Sequence, residues 1–283
     1  MNPGFPAWKA SLGEFKQWLD NRYSEAWSSE VYRNVKKYGW MLDGDLTRLE
    51  SFSRSKRLNV LKSLIAFSKF LGCYESFKAR IRNHGIRWQS QDSFSSFLRM
   101  ANSGNGLREW IRECLRVLDD RGRLLLLLAL ASGLRKSECF KSFNLIIRLN
   151  REGRLSEYYN PSLQVLEHFR FEKLFIRRTK NVYISFIPRS LVDRIAASKP
   201  VSYPSIRNRL KKRGLGTRLN ELRDHYATFM VQHGLIREEV DLLQGRIGKT
   251  IFMRNYFSPS LQDLGQRTIA AVNSLLEDLE IEL

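Results

Sequence analysis

The sequence predicts a mainly α-helical protein that has one small β-hairpin and is divided into two domains. Apolar residues recur at helical spacing along most of the chain, whereas β-branched and aromatic residues concentrate in one region, residues 169–188. With 283 residues, the chain is long enough to build two hydrophobic cores.

The first hundred residues are expected to form helices. Three segments carry apolar side chains at helical spacing: residues 12–19, 31–41 and 59–71. Basic side chains around the third segment are expected to remain on its exposed side: Lys56, Arg57, Lys62 and Lys69. The aromatic residues fall at core spacing, so we expect them to pack in the interior rather than to stack on nucleic-acid bases.

Two polar breaks precede the C-terminal half. Ser-Gln-Asp-Ser occupies residues 90–93 and Asn-Ser-Gly-Asn-Gly occupies residues 102–106, and either composition suits a linker or an interhelical loop. Beyond them, residues 107–117 and 123–130 are expected to be helical, and Gly133 ends the second helix.

The one convincing β region follows. Two β-rich runs within residues 169–188 flank a polar turn at residues 178–181, and Pro188 closes the second run, so we expect a hairpin. From Ser190 onward the pattern is helical again, and it ends in an amphipathic helix over residues 261–283.

The charge balance indicates a polyanionic partner. Lys and Arg number 48 against 29 Asp and Glu, which gives a formal net charge of +19 and a pI near 10.1. Residues 1–100 hold 17 basic and 9 acidic side chains, which leaves 31 and 20 for the rest of the chain. Because the excess is spread along both halves, we expect both to contact nucleic acid; charge for solubility alone normally needs less imbalance.

Several other classes of protein are not indicated. Residues 1–8 lack a basic region followed by an apolar run, and the apolar run at residues 124–131 is too short to span a bilayer, so we expect no leader, no membrane association and a cytoplasmic location. The three cysteines and four histidines form no ligand-spaced pattern, so we expect reduced thiols, no metal and no cofactor.

Four short strings in the C-terminal half carry arginines and a tyrosine in a definite order. They are Ala-Ser-Gly-Leu-Arg-Lys-Ser-Glu at residues 131–138, Leu-Arg-Asp-His-Tyr-Ala-Thr at 222–228, Leu-Gln-Gly-Arg at 243–246 and Arg-Asn-Tyr-Phe at 254–257. The set resembles the active-site residues of the tyrosine recombinases, the phage-integrase family. The last two strings resemble the divergent integrases of archaeal viruses and plasmids, the fusellovirus type. The resemblance covers about residues 105–260.

The resemblance implies a two-domain recombinase architecture. A helical DNA-clamping domain would occupy residues 1–92, because the family places its linker near the first polar break, and a catalytic domain would occupy residues 93–283. The N-terminal half resembles the family's clamping domain only in length, charge and helicity. The helix after residue 260 would either cap its own core or dock on the next protomer, as tails do in this family.

The resemblance also implies a phosphate clamp. Arg135 and Arg223 match the two family arginines that hold the scissile phosphate, and a planar guanidinium can meet two phosphate oxygens at once. The alternative for Arg135 is a structural ion pair with Glu138 one helical turn away. If Arg135 is catalytic, Glu138 would be the supporting carboxylate that fixes local geometry.

The remaining matched residues would carry out the chemistry. Lys180 lies in the predicted hairpin turn, where the family has a lysine that protonates the departing 5′ oxygen, although Lys173 lies in the same predicted hairpin. Tyr256 would be the nucleophile, and its attack would form a 3′-phosphotyrosyl link without a metal or ATP. Arg246 would donate hydrogen bonds to the phosphate.

Two positions depart from the majority pattern of the family. Asn220 stands where the usual His-x-x-Arg-His box begins, and Arg246 stands where a histidine usually follows glycine. Asn220 can hydrogen-bond a phosphate oxygen but cannot accept a proton as a base. The base for Tyr256 therefore stays open between water, the substrate phosphate and no dedicated group, and the offset of His225 from Arg223 on a helix would point it elsewhere.

The leading functional hypothesis is a site-specific recombinase that integrates and excises a mobile element. It would act on double-stranded DNA attachment sites as a homotetramer, and it would be a monomer or weak oligomer when free. A chromosome- or plasmid-dimer resolving recombinase would use the same residues. A non-catalytic DNA-binding accessory protein or a helical RNA-binding module would suit the charge, but neither explains the ordered arginines and tyrosine.

Overall fold

The structure is a computed structural model that describes residues 8–86, 94, 98, 106–177, 180–247 and 252–280, with Met253 and Arg254 described by their backbone alone. The described part is mainly helical and contains a small three-stranded antiparallel sheet. The chain divides into two compact units, Met1–Leu98 and Arg99–Leu283. The predicted linker at residues 90–93 lies outside the described residues, so the domain boundary at residue 92 stays a prediction.

The first unit is helical, as predicted. Its α-helices are α1 (Leu12–Asp20), α2 (Glu25–Tyr38), α3 (Arg54–Phe70) and α4 (Tyr74–Asn83), with 3-10 turns at Gly39–Leu42 and Thr47–Leu49. Phe15, Phe67 and Phe77 are fully buried in its core, which confirms the core role expected for most aromatic residues. The basic side chains around α3 are exposed, except that Arg57 is half-buried.

The second unit contains the motif strings. Its α-helices are α5 (Leu107–Val117), α6 (Asp120–Ser132), α7 (Lys136–Arg151), α8 (Glu172–Phe175), α9 (Arg189–Ala196), α10 (Tyr203–Lys212), α11 (Leu219–Gln232), α12 (Arg237–Leu243) and α13 (Leu261–Asp278). The predicted helices over residues 107–117 and 123–130 are confirmed, as is the helical pattern after Ser190 within the described residues.

Helix α6 is the central element of this unit. Every residue from 124 to 131 is buried, so the helix is apolar on all sides and must be surrounded. Helices α7, α9 and α11 pack against it. Asp119 caps its first turn by accepting a hydrogen bond from the Gly122 N–H at 3.1 Å. Gly133 ends it with φ of 57°, a left-handed conformation that favours glycine.

The predicted hairpin over residues 169–188 is wrong in its first half. The sheet runs in the order β1 (Tyr159–Asn160), β2 (Val165–Glu167) and β3 (Ile184–Phe186), so β3 pairs with a strand that precedes the predicted hairpin. Residues 168–175 instead form a 3-10 turn and helix α8.

The burial of one aromatic ring explains the difference. Phe171, Leu174 and Phe175 fit the spacing of a helical turn as well as that of a strand. In the helical form, Phe175 is fully buried with its ring centroid 4.6 Å from that of His168 and 6.0 Å from that of Tyr158. Tertiary packing therefore decided between two patterns that the short run satisfies equally.

Helix α13 packs against its own unit. Its buried residues include Leu264, Val272 and Leu275, and it contacts α6, α11 and β3. Gly265 lies so close to the Phe186 ring that an added Cβ would approach within 2.7 Å. The tail thus caps its own core in this structure, which is the first of the two alternatives. No helix in the described part of the chain is long and apolar enough to cross a membrane.

Candidate active site

The turn between α6 and α7 places Arg135 beside a buried carboxylate. Glu138 lies in the first turn of α7 and is fully buried. Its Oε2 accepts a hydrogen bond from the Arg135 main-chain N–H at 3.1 Å, and its Oε1 accepts one from Arg135 Nη1 at 2.9 Å. The Glu138 carboxylate therefore fixes both the backbone and the guanidinium of Arg135. This contact is the ion pair that the structural alternative predicted, and it is also the arrangement of a supporting carboxylate.

Arg223 on α11 is the most deeply placed cation of the site, with 6% of its surface exposed. Its Nη1 donates to the Gly133 carbonyl and its Nη2 to the Gln244 carbonyl, both at 2.7 Å. Gln244 Nε2 donates in return to the Arg223 carbonyl at 2.9 Å. Within the residues that the structure describes, no carboxylate forms a salt bridge with Arg223, so its charge is held by carbonyl dipoles alone.

The pKa of Arg223 shows that the arginines lie close together. Burial lowers the pKa of this guanidinium to about 10, and the positive charges of Arg135 and Arg246 lower it further in the same direction. The group is still cationic at neutral pH. Three arginines from separate strings of the sequence therefore converge on one region of positive potential.

Residues 180–182 lie against this cluster. Arg135 Nη1 donates to the Asn181 carbonyl at 3.1 Å. On the other side, Gly245 has φ of 66°, and a Cβ added there would lie 1.9 Å from the Asn181 oxygen. Only glycine permits this approach, so the glycine that precedes Arg246 is explained by close backbone packing.

Lys180 belongs to the segment that contacts the cluster, and its side chain is exposed. The alternative candidate, Lys173, lies on α8 outside that segment, because the predicted first strand is helical. The structure thus brings Arg135, Arg223, Arg246 and the backbone of Lys180 together.

Tyr256 is the last residue of a π-helical turn, Phe252–Tyr256, and 72% of its surface is exposed. Among the described residues, no hydrogen bond joins Tyr256 to the arginine cluster. Residues 248–251, which connect Arg246 to this turn, lie outside the described residues. The role of Tyr256 as nucleophile therefore stays a prediction.

Asn220 and His225 occupy other faces of α11. Asn220 is exposed in the first turn, and none of the described hydrogen bonds joins it to the cluster. Burial lowers the pKa of His225, and the charge of Arg108 lowers it further, while Asp278 opposes them. Its charged neighbours thus come from α5 and α13, away from Arg223, as the helical offset predicts.

Two residues of the site were not predicted from the sequence. Arg177 Nη2 donates to Glu138 Oε1 at 2.5 Å, and Gln244 holds Arg223 from two sides. Arg177 belongs to a basic run of a kind that is usually solvated, so its sequence context offered no signal. Gln244 stands in the Leu-Gln-Gly-Arg string, and its position next to Gly245 was the one available hint.

The comparisons with known proteins agree with the motif strings. The description of the archaeal phage integrase family matches residues 105–263, which is more than half of the chain and includes every predicted site residue. The chain belongs to the archaeal phage integrase family. Membership implies a role in DNA integration or recombination, with DNA as the binding partner. No individual curated protein matches the chain. The resemblance to phage integrases of archaeal type is confirmed.

Proposed function

We propose that this protein is a site-specific recombinase that cuts and rejoins DNA through a 3′-phosphotyrosyl intermediate and thereby integrates or excises a mobile element. The observation that carries the proposal is the buried Arg223, which lacks a carboxylate partner among the described residues while Arg135 and Arg246 lie near it. Such a site is electrostatically incomplete without an anion, and a phosphodiester supplies one.

The cluster suits the transition state better than the ground state. A phosphodiester under attack concentrates negative charge on its non-bridging oxygens, and guanidinium groups held in advance stabilise that charge without reorganising. Arg135 and Arg223 are both held by hydrogen bonds to the protein, so their orientation does not depend on substrate. Arg246 is more exposed and pairs only at 3.8 Å with Asp241.

The cleavage step balances without an added reagent. The Tyr256 oxygen forms a bond to phosphorus, the bond from phosphorus to the 5′ oxygen breaks, and the leaving oxygen takes a proton from the Lys180 ammonium. The tyrosine proton passes to water, because Asn220 has no site to accept it. Rejoining is the reverse reaction with a new 5′ hydroxyl. We propose that four protomers act together on two attachment sites in the cytoplasm.

The decisive experiment traps the covalent intermediate. Incubation with nicked duplexes that release the 5′ strand should accumulate a protein–DNA adduct, and mass spectrometry should locate it on Tyr256. We expect the adduct to form in EDTA, because the arginines and Lys180 supply the charge that two-metal nucleases take from ions. Loss of cleavage in EDTA that magnesium restores would contradict this mechanism.

Tyr256→Phe should abolish the adduct while leaving folding and DNA binding almost unchanged, because it removes one hydroxyl and keeps the ring. A double variant that adds Phe257→Tyr makes the control. A hydroxyl one residue further on should not restore the reaction, since successive side chains of a helical turn point about 100° apart. A 3′-linked adduct with Tyr256→Phe would show that the nucleophile is misassigned, and the absence of any adduct with the wild type would favour a DNA-binding accessory protein.

A further inference from the structure

We propose that Arg177 is a positioning residue that holds Lys180 in register with Arg135, so that one network sets both the proton donor and the phosphate clamp. This inference rests on the proposed function, because it assigns Arg177 a part in the step that Lys180 would assist. Arg177 would act through Lys180 and need not touch the DNA.

Three hydrogen bonds from Arg177 connect the two parts of the site. Its Nη2 donates to Glu138 Oε1 at 2.5 Å, and its Nε donates to the Lys180 carbonyl at 3.1 Å. Its main-chain N–H donates to Asn181 Oδ1 at 2.7 Å. The planar guanidinium thus reaches the buried carboxylate and the backbone of the lysine at the same time, which a single ammonium could not do.

Glu138 is the common anchor of the two arginines. Its Oε1 accepts from Arg135 Nη1 as well as from Arg177 Nη2, and its position in the first turn of α7 keeps it fixed and buried. Arg135 already pairs with this carboxylate, so charge balance alone does not require Arg177. Its second contact, to the Lys180 carbonyl, is what the extra arginine adds.

The flexibility of lysine gives the network a purpose. Lys180 is exposed and ends in four rotatable methylenes, so the reach of its ammonium depends on where the backbone is held. Arg177 holds the Lys180 carbonyl, while Arg135 and the Gly245 backbone hold Asn181. A proton donor placed in this way needs less reorganisation at the moment of transfer.

Two rival interpretations exist for Arg177. It could be an ordinary surface ion pair, in which case its loss would matter little. It could instead contact a DNA phosphate directly, in which case its loss would weaken binding or charge stabilisation. Neither rival links Arg177 to protonation of the leaving group, so a test of that link separates them from the proposal.

The test compares two nicked duplexes that differ in one atom. One carries oxygen at the scissile 5′ position and the other carries sulfur in its place. When the phosphorus–sulfur bond breaks, the thiolate leaves with its electron pair and needs no proton, so a defect in proton donation is bypassed. Adduct formation is timed on both duplexes with wild type, Lys180→Ala, Arg177→Ala, Arg177→Lys, Arg135→Ala and, as a matched surface arginine that pairs with Glu157, Arg154→Ala.

We expect Arg177→Ala to cleave the oxygen duplex about tenfold more slowly or worse, which is the usual cost of a lost charged hydrogen bond. On the sulfur duplex, Arg177→Ala and Lys180→Ala should both recover most of the wild-type rate. Arg135→Ala should stay slow on both, since it loses charge stabilisation. Arg154→Ala should match the wild type on both. Arg177→Lys should behave as Arg177→Ala, because it keeps the charge and loses the fork.

The ratio of the two rates is taken on one protein sample, so a partly misfolded preparation does not affect it. If sulfur rescues Lys180→Ala but leaves Arg177→Ala slow, the inference is overturned while the proposed function stands. Arg177→Ala cleaving oxygen at the wild-type rate would overturn it equally. If sulfur fails to rescue Lys180→Ala, or the wild type cleaves neither duplex, the proposed chemistry itself is wrong and the inference falls with it.

Discussion

Arg223 shows how a single side chain can define the chemistry of a site. A buried cation normally pairs with a carboxylate, yet the described hydrogen bonds of this guanidinium go to the Gly133 and Gln244 carbonyls. Carbonyl dipoles orient the group but leave its unit charge uncompensated. The charge is thus available to an incoming phosphate, at the cost of a guanidinium pKa lowered to about 10.

Arg223→Ala should reduce the rate of adduct formation by about 10²–10³-fold, as loss of one preorganised donor does in other charge-stabilising sites. Arg223→Lys should recover little, because one ammonium cannot satisfy two carbonyls and also meet a phosphate. Both are measured on the nicked duplex together with thermal melting and DNA affinity. Arg170→Ala, which removes an exposed partner of Glu167, is the control. Wild-type cleavage by Arg223→Ala would remove this residue from the clamp.

At the scale of elements, a salt bridge connects the two helices that flank the Tyr256 segment. Glu239 caps the start of α12 by accepting a hydrogen bond from the Ile236 N–H at 3.0 Å. Its carboxylate also receives a hydrogen bond from Arg267 of α13 at 3.0 Å, and this bond is the main cause that holds the Glu239 pKa below its ordinary value. The residues between the two helices include Arg246 and Tyr256.

Glu239→Gln should destabilise the protein by about 1–2 kcal/mol, because a charge-assisted pair becomes a neutral one. It should also slow adduct formation more than it weakens DNA binding, since both helices orient the segment between them. Asp263→Asn removes the exposed partner of the same Arg267 and should have a smaller effect on both. Melting temperature, affinity and adduct rate are compared; equal effects of the two substitutions would argue against this connection.

A second connection between elements is a buried polar network that joins α7 to the sheet. The Tyr158 hydroxyl lies 2.9 Å from Ser142 Oγ and 2.7 Å from His168 Nδ1, and His168 Nε2 lies 2.9 Å from Ser185 Oγ. Burial lowers the pKa of His168 to about 3. The imidazole is therefore neutral inside the folded protein and has both ring nitrogens satisfied.

This network makes stability depend on pH. In the unfolded chain a histidine binds its proton near pH 6.5, whereas folded His168 does not until about pH 3. Stability is therefore fully present above the unfolded pKa and is lost as the pH falls below it, by up to about 1.4 kcal/mol per pH unit. Urea unfolding between pH 7 and pH 5 should show this slope in the wild type and a flatter one in His168→Gln. The lowered pKa of His225 leaves a residual slope; equal slopes would mean that His168 titrates normally.

At the scale of the whole molecule, the net charge of +19 should govern DNA affinity. Each phosphate that the protein neutralises releases counterions, so affinity falls linearly with salt on logarithmic axes. For a surface of this charge we expect a loss of about a thousandfold or more between 50 and 200 mM salt. Melting temperatures at the same salt concentrations control for unfolding. A nearly flat dependence would contradict a protein that clamps DNA.

The helices could be predicted from the sequence because their signals are local. The apolar run of α6, its capping Asp119 and its terminal Gly133 specify a buried helix within a few residues of one another. The ordered arginines and Tyr256 likewise indicated the family, since their types and spacing can be read along one chain. Charge and composition indicated a nucleic-acid partner for the same reason.

The tertiary structure alone decided the partners of these residues. β3 pairs with β2 because a short run that fits two periods adopts the one that buries Phe175. Arg177 joins the site because its guanidinium reaches a carboxylate 39 residues away in sequence. Gly245 is needed because the Asn181 backbone passes where a Cβ would lie. Periodicity depends on neighbours along the chain, whereas each of these contacts depends on which distant groups compete for one buried space, and no local pattern encodes that competition.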